Sequence, residues 1–325
     1  MKGVILDADS LGPGDVSLAP VTELLDRWDV HGFTPADAVE DRIKGAAVVL
    51  SNKVSITRDT IARCPELKFI SVMATGTNNI DLAAAREANI PVSNAVAYAT
   101  PSVVQHTLSL MLALSNNLLA YVDDVRRQKW QASKVFCLLD HPIVELGGKT
   151  LGIVGYGELG KGVAQVARAF DMQVLLSARP GQQAQGERLA LAELLPRVDY
   201  LSLHCPLTPQ TENLINKKTL ATMKPEAFVI NTARGGLINS TDLIAALQAG
   251  TIAGAALDVV TSEPPAQDEL VTNSNLPNLI VTPHNAWGAV ESRQRLVAQM
   301  QENITAFMSG NPVRVVNPGG RKSAD

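Results

Sequence analysis

Short apolar runs alternate with amphipathic stretches along most of this chain. Lys2–Ala8 reads as a buried strand, Val21–Trp28 has helical periodicity, and Ala46–Leu50 is a second strand. Ser55–Arg63 has helical spacing and stops before Pro65. Phe69–Met73 is a third strand, Asp81–Ala88 a helix and Pro91–Asn94 a short strand. Strands and helices that alternate in this way predict a small parallel α/β domain.

The pattern changes at Ala99–Pro101. Thr100 or Ser102 caps a long predicted helix with apolar residues at Val103, Val104, Leu108, Met111, Leu112, Leu114 and Leu118. A helix this apolar needs cover, from the second domain or from the same helix of another subunit. Tyr121–Lys129 is charged and expected at the surface. Trp130–Pro142 has no clear period and reads either as an arm that wraps a neighbouring subunit or as a long surface loop.

Leu151–Val154 is the strand on which the next region turns. Behind it, Gly155-Tyr156-Gly157-Glu158-Leu159-Gly160 supplies the spacing G-x-G-x-x-G, and a helix follows with Val163, Val166, Ala167 and Phe170 on one face. Strand, glycine turn and helix in that order form a dinucleotide site. Gly155 allows the tight turn, Gly157 admits the pyrophosphate to the backbone, and Gly160 lets the helix pack on the strand. The helix start then presents its amides and the positive end of its dipole to the anion. Further β-α-β units follow, with strands at Gln173–Ser177, Val198–His204, Ala227–Asn231, Ala253–Val260 and Leu279–Val281 and a helix at Asp242–Ala249. They predict a doubly wound, Rossmann-type sheet.

Composition narrows the class. The chain has 325 residues, long for one core, and 46% are hydrophobic while 18% are charged. A net charge of −4 without a Lys/Arg cluster gives no footprint for nucleic acid. No apolar run reaches the ~18 residues of a membrane span, and no signal-peptide pattern is present. Cys64, Cys137 and Cys205 lie far apart, which argues against a disulfide framework or a zinc site. No metal is expected, and a cytoplasmic location is.

The cofactor choice rests on the end of the Gln173–Ser177 strand, where an acid normally accepts from the ribose 2′-OH of NAD. This chain has Ser177-Ala178-Arg179 instead. A hydroxyl and a guanidinium suit a 2′-phosphate, which tilts the expectation to NADP(H), with NAD(H) possible. The plain alternative leaves Arg179 in solvent.

Arg234, Asp258, Glu263 and His284 stand at or just after the ends of successive strands. In a parallel sheet those ends share the edge where a dinucleotide binds. Hydride transfer to a ketone needs such a set: Arg234 to grip a carboxylate or polarise the carbonyl, His284 to give the proton, Glu263 to keep the imidazole charged. Singly, each residue has an ordinary role: Asp258 as a loop cap, Glu263 as a solvated acid beside Pro264, His284 as a core histidine, Arg234 as a salt-bridge partner. Together, behind a dinucleotide turn, they favour chemistry. His204-Cys205-Pro206 suits a loop over the cofactor, and His106, inside the long helix, reads as structural. The turn Thr75-Gly76-Thr77-Asn78-Asn79 is equally a plain βα loop or a nest of amides for a substrate carboxylate.

These segments make the chain resemble the D-isomer-specific 2-hydroxyacid dehydrogenases over nearly its whole length. The matching pieces are Gly155–Gly160, His204–Thr208, Asn231–Gly236, Ala256–Val259 with Glu263-Pro264-Pro265, and Thr282-Pro283-His284. Ser51–Val54, Ala74–Asn79, Thr100–His106 and Trp287 resemble the glycerate dehydrogenase/hydroxypyruvate reductase branch. The resemblance implies Arg234, Glu263 and His284 as the catalytic set. It implies Lys53, Thr75, Gly76, Thr77, Arg234 and His284 around the substrate. Around the cofactor it implies Thr75, the Gly155–Gly160 turn, His204, Cys205, Pro206, Thr232, Ala233, Arg234, Asp258, His284 and Trp287, and the residue reading adds Ser177 and Arg179, where the chain departs from the family's usual acid. It further implies a homodimer through the long helix and arm, and closure of two domains over a small 2-oxo or 2-hydroxy acid. The domains would be a smaller, flavodoxin-like α/β substrate domain from residues 1–98 and 290–325, and the Rossmann domain at 99–289. The activity implied is reduction of hydroxypyruvate or glyoxylate. A dinucleotide-sensing, corepressor-like protein and another small 2-oxo acid reductase are the alternatives. Glu263, where formate dehydrogenases carry Gln, argues against that relative.

Overall fold

The computed structural model describes residues 1–179, 181–182 and 185–318. The polar tail at 319–325 lies outside them. The chain divides into two compact units, Met1–Ala99 with the chain from Gly288 onward, and Thr100–Trp287.

The first unit holds β1 (Lys2–Ile5), β2 (Arg27–Val30), β3 (Val48–Ser51), β4 (Phe69–Val72) and β5 (Val92–Ser93). They pair in the order β2-β1-β3-β4-β5, all parallel. This is the flavodoxin-type order, whose switch point falls between β1 and β3. Every residue of β3 and β4 is buried, as expected of strands covered on both faces. Two helices start at side-chain caps: Thr57 accepts from the Thr60 amide ahead of Arg58–Arg63, and Asp81 from the Ala84 amide ahead of Leu82–Glu87. The last helix, Val290–Met308, returns to this sheet. Phe307 stacks on Phe69 with centroids 4.6 Å apart, and Asn303 donates to the Asn94 carbonyl.

One stretch here departs from its sequence pattern. The helical period of Val21–Trp28 is not realised as one helix: a single turn, Ala19–Thr22, is followed by β2, which pairs with β1 from Lys2↔Arg27 to Ile5↔Val30. As an edge strand β2 is covered on one side only, and Arg27-Trp28-Asp29 lacks the apolar run by which buried strands are recognised.

The second unit carries β6 (Thr150–Val154), β7 (Gln173–Ser177), β8 (Arg188–Leu189), β9 (Tyr200–Leu203), β10 (Phe228–Asn231), β11 (Gly254–Leu257) and β12 (Leu279–Val281). Their order is β12-β11-β10-β9-β6-β7-β8, all parallel, the Rossmann arrangement extended by one strand. Alternate residues feed two cores. Val229, Ala255 and Leu257 face one, while Tyr200, Ile230 and Ala256 face the other.

The long helix runs from Thr100 to Ser115, not to Leu118. Asn117 takes a left-handed φ of 45° and a new helix begins at Leu118–Arg126. Asn tolerates that conformation better than most residues, so the apolar period runs on through a break it does not reveal. The helix after the glycine turn spans Glu158–Ala169 and buries Val163, Ala164 and Ala167. Phe170, expected on that face, caps the helix end and is exposed.

Candidate active site

The glycine turn joins β6 to the Glu158–Ala169 helix, and its three glycines are constrained in three ways. Gly155 has φ 95°, and a Cβ there would lie 2.6 Å from the His204 carbonyl and the Cys205 amide. At Gly160 a Cβ would meet the Gly155 carbonyl at 2.1 Å, whereas at Gly157 it would meet no atom within 4 Å. The protein itself therefore demands glycine at Gly155 and Gly160. The open side of Gly157 fits a pyrophosphate approaching the backbone.

A cavity of about 420 Å³ opens here. Gly155, Tyr156 and Gly157 form one wall, and His204, Cys205, Pro206, Thr208 and Thr211 another. Ser177, Ala178, Arg179, Gln182 and Arg188 close the end of β7. Glu158, Leu159 and Gly160 do not line it. Burial drops the His204 pKa to about 4, so its imidazole is neutral near pH 7, and its Nε2 is paired with the Ser202 hydroxyl at 2.8 Å. Burial likewise pushes the Cys205 thiol up to about 11. Neither is placed to supply a proton or a thiolate, in keeping with a loop that shapes the cofactor site.

At the β7 end the Ser177 side chain is buried and its hydroxyl donates to the Ala178 carbonyl, while Arg179 is exposed. Arg188 carries no signal in the sequence. It enters the cavity because β8 pairs with β7 at Leu176↔Arg188 and Ser177↔Leu189. Among the described residues the lining thus includes two arginines and no Asp or Glu.

Further along the same edge of the sheet lie the ends of β10, β11 and β12. Asn231, buried at the end of β10, accepts from the Ala233 amide and donates to the Arg234 carbonyl. This local turn presents Arg234, half-buried, with its Nη1 on the Ala233 carbonyl at 2.6 Å. Gly235 lies so close to the β11 loop that a Cβ would come within 2.0 Å of the Val260 carbonyl carbon.

Asp258 is 1% exposed and organises the loop after β12. Its Oδ1 accepts from the Thr282 hydroxyl at 2.5 Å and the Asn285 amide at 3.1 Å, and its Oδ2 from the Ala286 amide at 2.9 Å. Burial works to raise the carboxyl pKa, but bonds from His106, Thr282 and the two amides outweigh it and hold it below the ordinary range. The Asp258 carbonyl takes the His284 amide at 2.8 Å, and the His284 carbonyl takes the Trp287 indole at 3.0 Å. Between these anchors His284 adopts φ 50°, a left-handed conformation that costs a non-glycine residue of order 1 kcal/mol or more. The strained backbone turns Nδ1 onto the Glu263 carboxylate at 2.5 Å, and Glu263 also accepts from the Val260 amide. Among the described residues His284 Nε2 makes no hydrogen bond.

In the first unit, Lys53 and the Thr75–Asn79 turn follow the adjacent ends of β3 and β4. Among the described residues the amides of Thr75, Gly76 and Thr77 donate no hydrogen bond. The Asn94 side chain fixes the Thr75 carbonyl and Asn79 reaches back to the Val54 carbonyl. Asp7, which the sequence did not single out, accepts the amides of Asn52, Lys53 and Val54 and so sets the turn that carries Lys53.

No group of three or more His, Cys, Asp or Glu side chains that could hold a metal is found among the described residues. None of their helices is long and apolar enough to cross a membrane.

Comparison with known proteins agrees with this geometry. Residues 108–286 match the D-isomer specific 2-hydroxyacid dehydrogenase, NAD binding domain. A glycerate dehydrogenase of Methylorubrum extorquens is 45% identical, over 87% of this chain and 89% of its own. A hydroxypyruvate reductase of Blautia hydrogenotrophica is 38% identical, over 98% of this chain and 100% of its own. Among solved structures, an acyclic imino acid reductase in complex with NADPH and D-Arg superposes with a TM-score of 0.83 at 27% identity, covering 97% of this chain and 100% of that one. A glycine turn on a Rossmann sheet and relatives of this closeness together place the chain in the D-isomer-specific 2-hydroxyacid dehydrogenase family, as an NAD(P)-dependent oxidoreductase of the CH–OH group.

Proposed function

We propose that the protein reduces hydroxypyruvate or glyoxylate, to D-glycerate or glycolate, with NADPH preferred over NADH. The observation that carries the reaction is the His284 Nδ1–Glu263 contact at 2.5 Å, which leaves Nε2 for the substrate oxygen. A dinucleotide held by the Gly155–Gly157 turn and the His204–Pro206 loop would, when reduced, supply the hydride for the carbonyl carbon. His284 delivers the proton from Nε2, and Glu263 holds the ring and balances its charge. Arg234 orients the acid and polarises the carbonyl, and the Thr75–Thr77 amides grip the carboxylate. The substrate assignment draws on the glycerate dehydrogenase and hydroxypyruvate reductase relatives.

The NADPH preference draws on Arg179 and Arg188 in a cavity without a carboxylate. An acid there would accept from the 2′-OH of NADH and repel a 2′-phosphate. The working form is a homodimer, read from the apolar surface of the second unit around Leu118, Leu119, Trp130 and Phe136.

Reduced-nicotinamide absorbance with hydroxypyruvate, glyoxylate and pyruvate, each against NADPH and NADH, tests the reading. His284→Ala is expected to lower kcat by about 10²- to 10⁴-fold with little change in dinucleotide Kd. Arg179→Ala is expected to raise KM for NADPH by about 10- to 100-fold and leave NADH nearly unchanged. Equal effects on both cofactors would remove the 2′-phosphate assignment. Tight dinucleotide binding without turnover on any acid would replace the enzyme reading with a sensing one.

A further inference from the structure

The helix Thr100–Ser115 has an apolar period, yet one polar face of it serves the loops that carry the reaction. Ser102 Oγ donates to the Ala286 carbonyl at 2.6 Å. One turn on, His106 Nε2 lies 3.0 Å from the Thr282 hydroxyl and 3.4 Å from Asp258 Oδ1. Thr107 Oγ1 donates to the Val103 carbonyl, so at 3.1 Å from Thr232 Oγ1 it acts as the acceptor. The spacing of four between Ser102 and His106 puts both on one side of a helix, with Thr107 beside them. All three reach residues at the ends of β10 or β12.

The direction of the bonds around His106 can be worked out. The Thr282 hydroxyl has one hydrogen, and at 2.5 Å it points to Asp258 Oδ1, which as a carboxylate oxygen only accepts. Thr282 Oγ1 must then accept from His106, so the ring carries its proton on Nε2. The chain runs His106 Nε2–H to Thr282 O–H to Asp258, and from Asp258 to the Asn285 and Ala286 amides that flank His284. The backbone of His284 is in a conformation that does not persist unless its surroundings enforce it, and this chain enforces it.

We propose that His106 is a positioning residue for the reaction, acting through Thr282 and Asp258 on the backbone that holds His284 against Glu263. It touches neither hydride nor proton. Its side chain fixes the Thr282 hydroxyl on Asp258 so that the carboxylate keeps both amides of the next two residues in place. A loss of this support lets His284 relax out of φ 50°, and a displacement of about 1 Å at a proton donor costs about 10²-fold in rate. The proposal rests on the reading of His284 as the proton donor.

The test compares His106→Leu, His106→Gln and Thr282→Val in steady-state turnover and in dinucleotide titration. His106→Leu removes the donor and is expected to lower kcat by about 10- to 100-fold, the usual effect of deleting a partner behind a reacting group, while the dinucleotide Kd moves much less. His106→Gln keeps an N–H of similar reach and is expected to restore most of kcat. Thr282→Val keeps the shape and removes the relay, and should match His106→Leu. The double variant should be no worse than either single one, because both break the same chain. Wild-type kcat in His106→Leu overturns the proposal. So do additive losses in the double variant, or equal losses in His106→Leu and His106→Gln with parallel falls in Tm, since either outcome describes packing alone. Full activity in His284→Ala would instead remove the proton-donor reading on which the proposal stands.

Discussion

Two glycines of the same turn make opposite demands. Gly155 is fixed by φ 95° and by the His204 and Cys205 backbone, while Gly157 has an ordinary φ and open space. Gly155→Ala is therefore expected to destabilise the protein, by at least about 1–2 kcal/mol from the left-handed backbone alone, with dinucleotide binding lost as well. Gly157→Ala should leave Tm within about 1 °C, as a change away from any packed feature does, and weaken only the dinucleotide. Thermal melts with and without cofactor read both; a Tm loss at Gly157 matching that at Gly155 would sink the distinction. Spacing made both glycines legible in the sequence but not their different causes, because the second constraint on Gly155 comes from a loop fifty residues on. The same holds for the proposed reacting set. Arg234, Glu263 and His284 were legible as polar residues at strand ends. Asp258 was legible as a residue, and its part in clamping the His284 loop was not, since that depends on which amides the carboxylate meets. Asp7 and Arg188 were missed, each a lone polar residue whose place is set by strand register.

At the scale of elements, strands that carry an uninterrupted apolar run were the easy ones, even at a sheet edge. β7 and β12 have the bounds their patterns predict. The edge strand β2 and the two-residue β8 were invisible, because exposure on one side dilutes the apolar signal. The Thr100–Ser115 helix was read correctly as apolar and wrongly in its end, and its polar face toward Ala286, Thr282 and Thr232 was hidden by the apolar majority. After Leu118–Arg126 the segment 127–145 contains no helix or strand and leaves Phe136 89% and Leu139 75% exposed. Side chains of this kind at the surface of one chain need a covering partner. Phe136→Ser with Leu139→Ser is expected to shift light-scattering mass from dimer to monomer at micromolar concentration. A wild-type monomer would refute the dimer, and an intact dimer in the variant would move the interface elsewhere.

For the whole molecule, two parallel sheets of different winding are built from one chain whose last helix returns to the first sheet. Asn317 closes that return, accepting from the Val92 amide and donating to the Ile90 carbonyl. This two-unit plan was legible because each sheet announces itself by its own strand–helix rhythm, and because the glycine turn marks where the second begins.

The cavity at the end of β7 carries attraction and no repulsion. On the proposed reading Arg179 and Arg188 favour a cofactor with two more negative charges, and among the described residues no lining side chain turns away one without them. Discrimination of that kind is graded, and it depends on the medium, because ions screen an exposed guanidinium–phosphate pair within a Debye length of about 8 Å at physiological salt. The ratio of kcat/KM for NADPH to that for NADH should fall as sodium chloride rises from about 0.01 to 1 M, over which that length contracts from ~30 to ~3 Å. The NADH value should stay nearly level. A ratio indifferent to salt would assign the preference to shape. A falling ratio makes the choice of reductant a property of the surrounding electrolyte as much as of the protein.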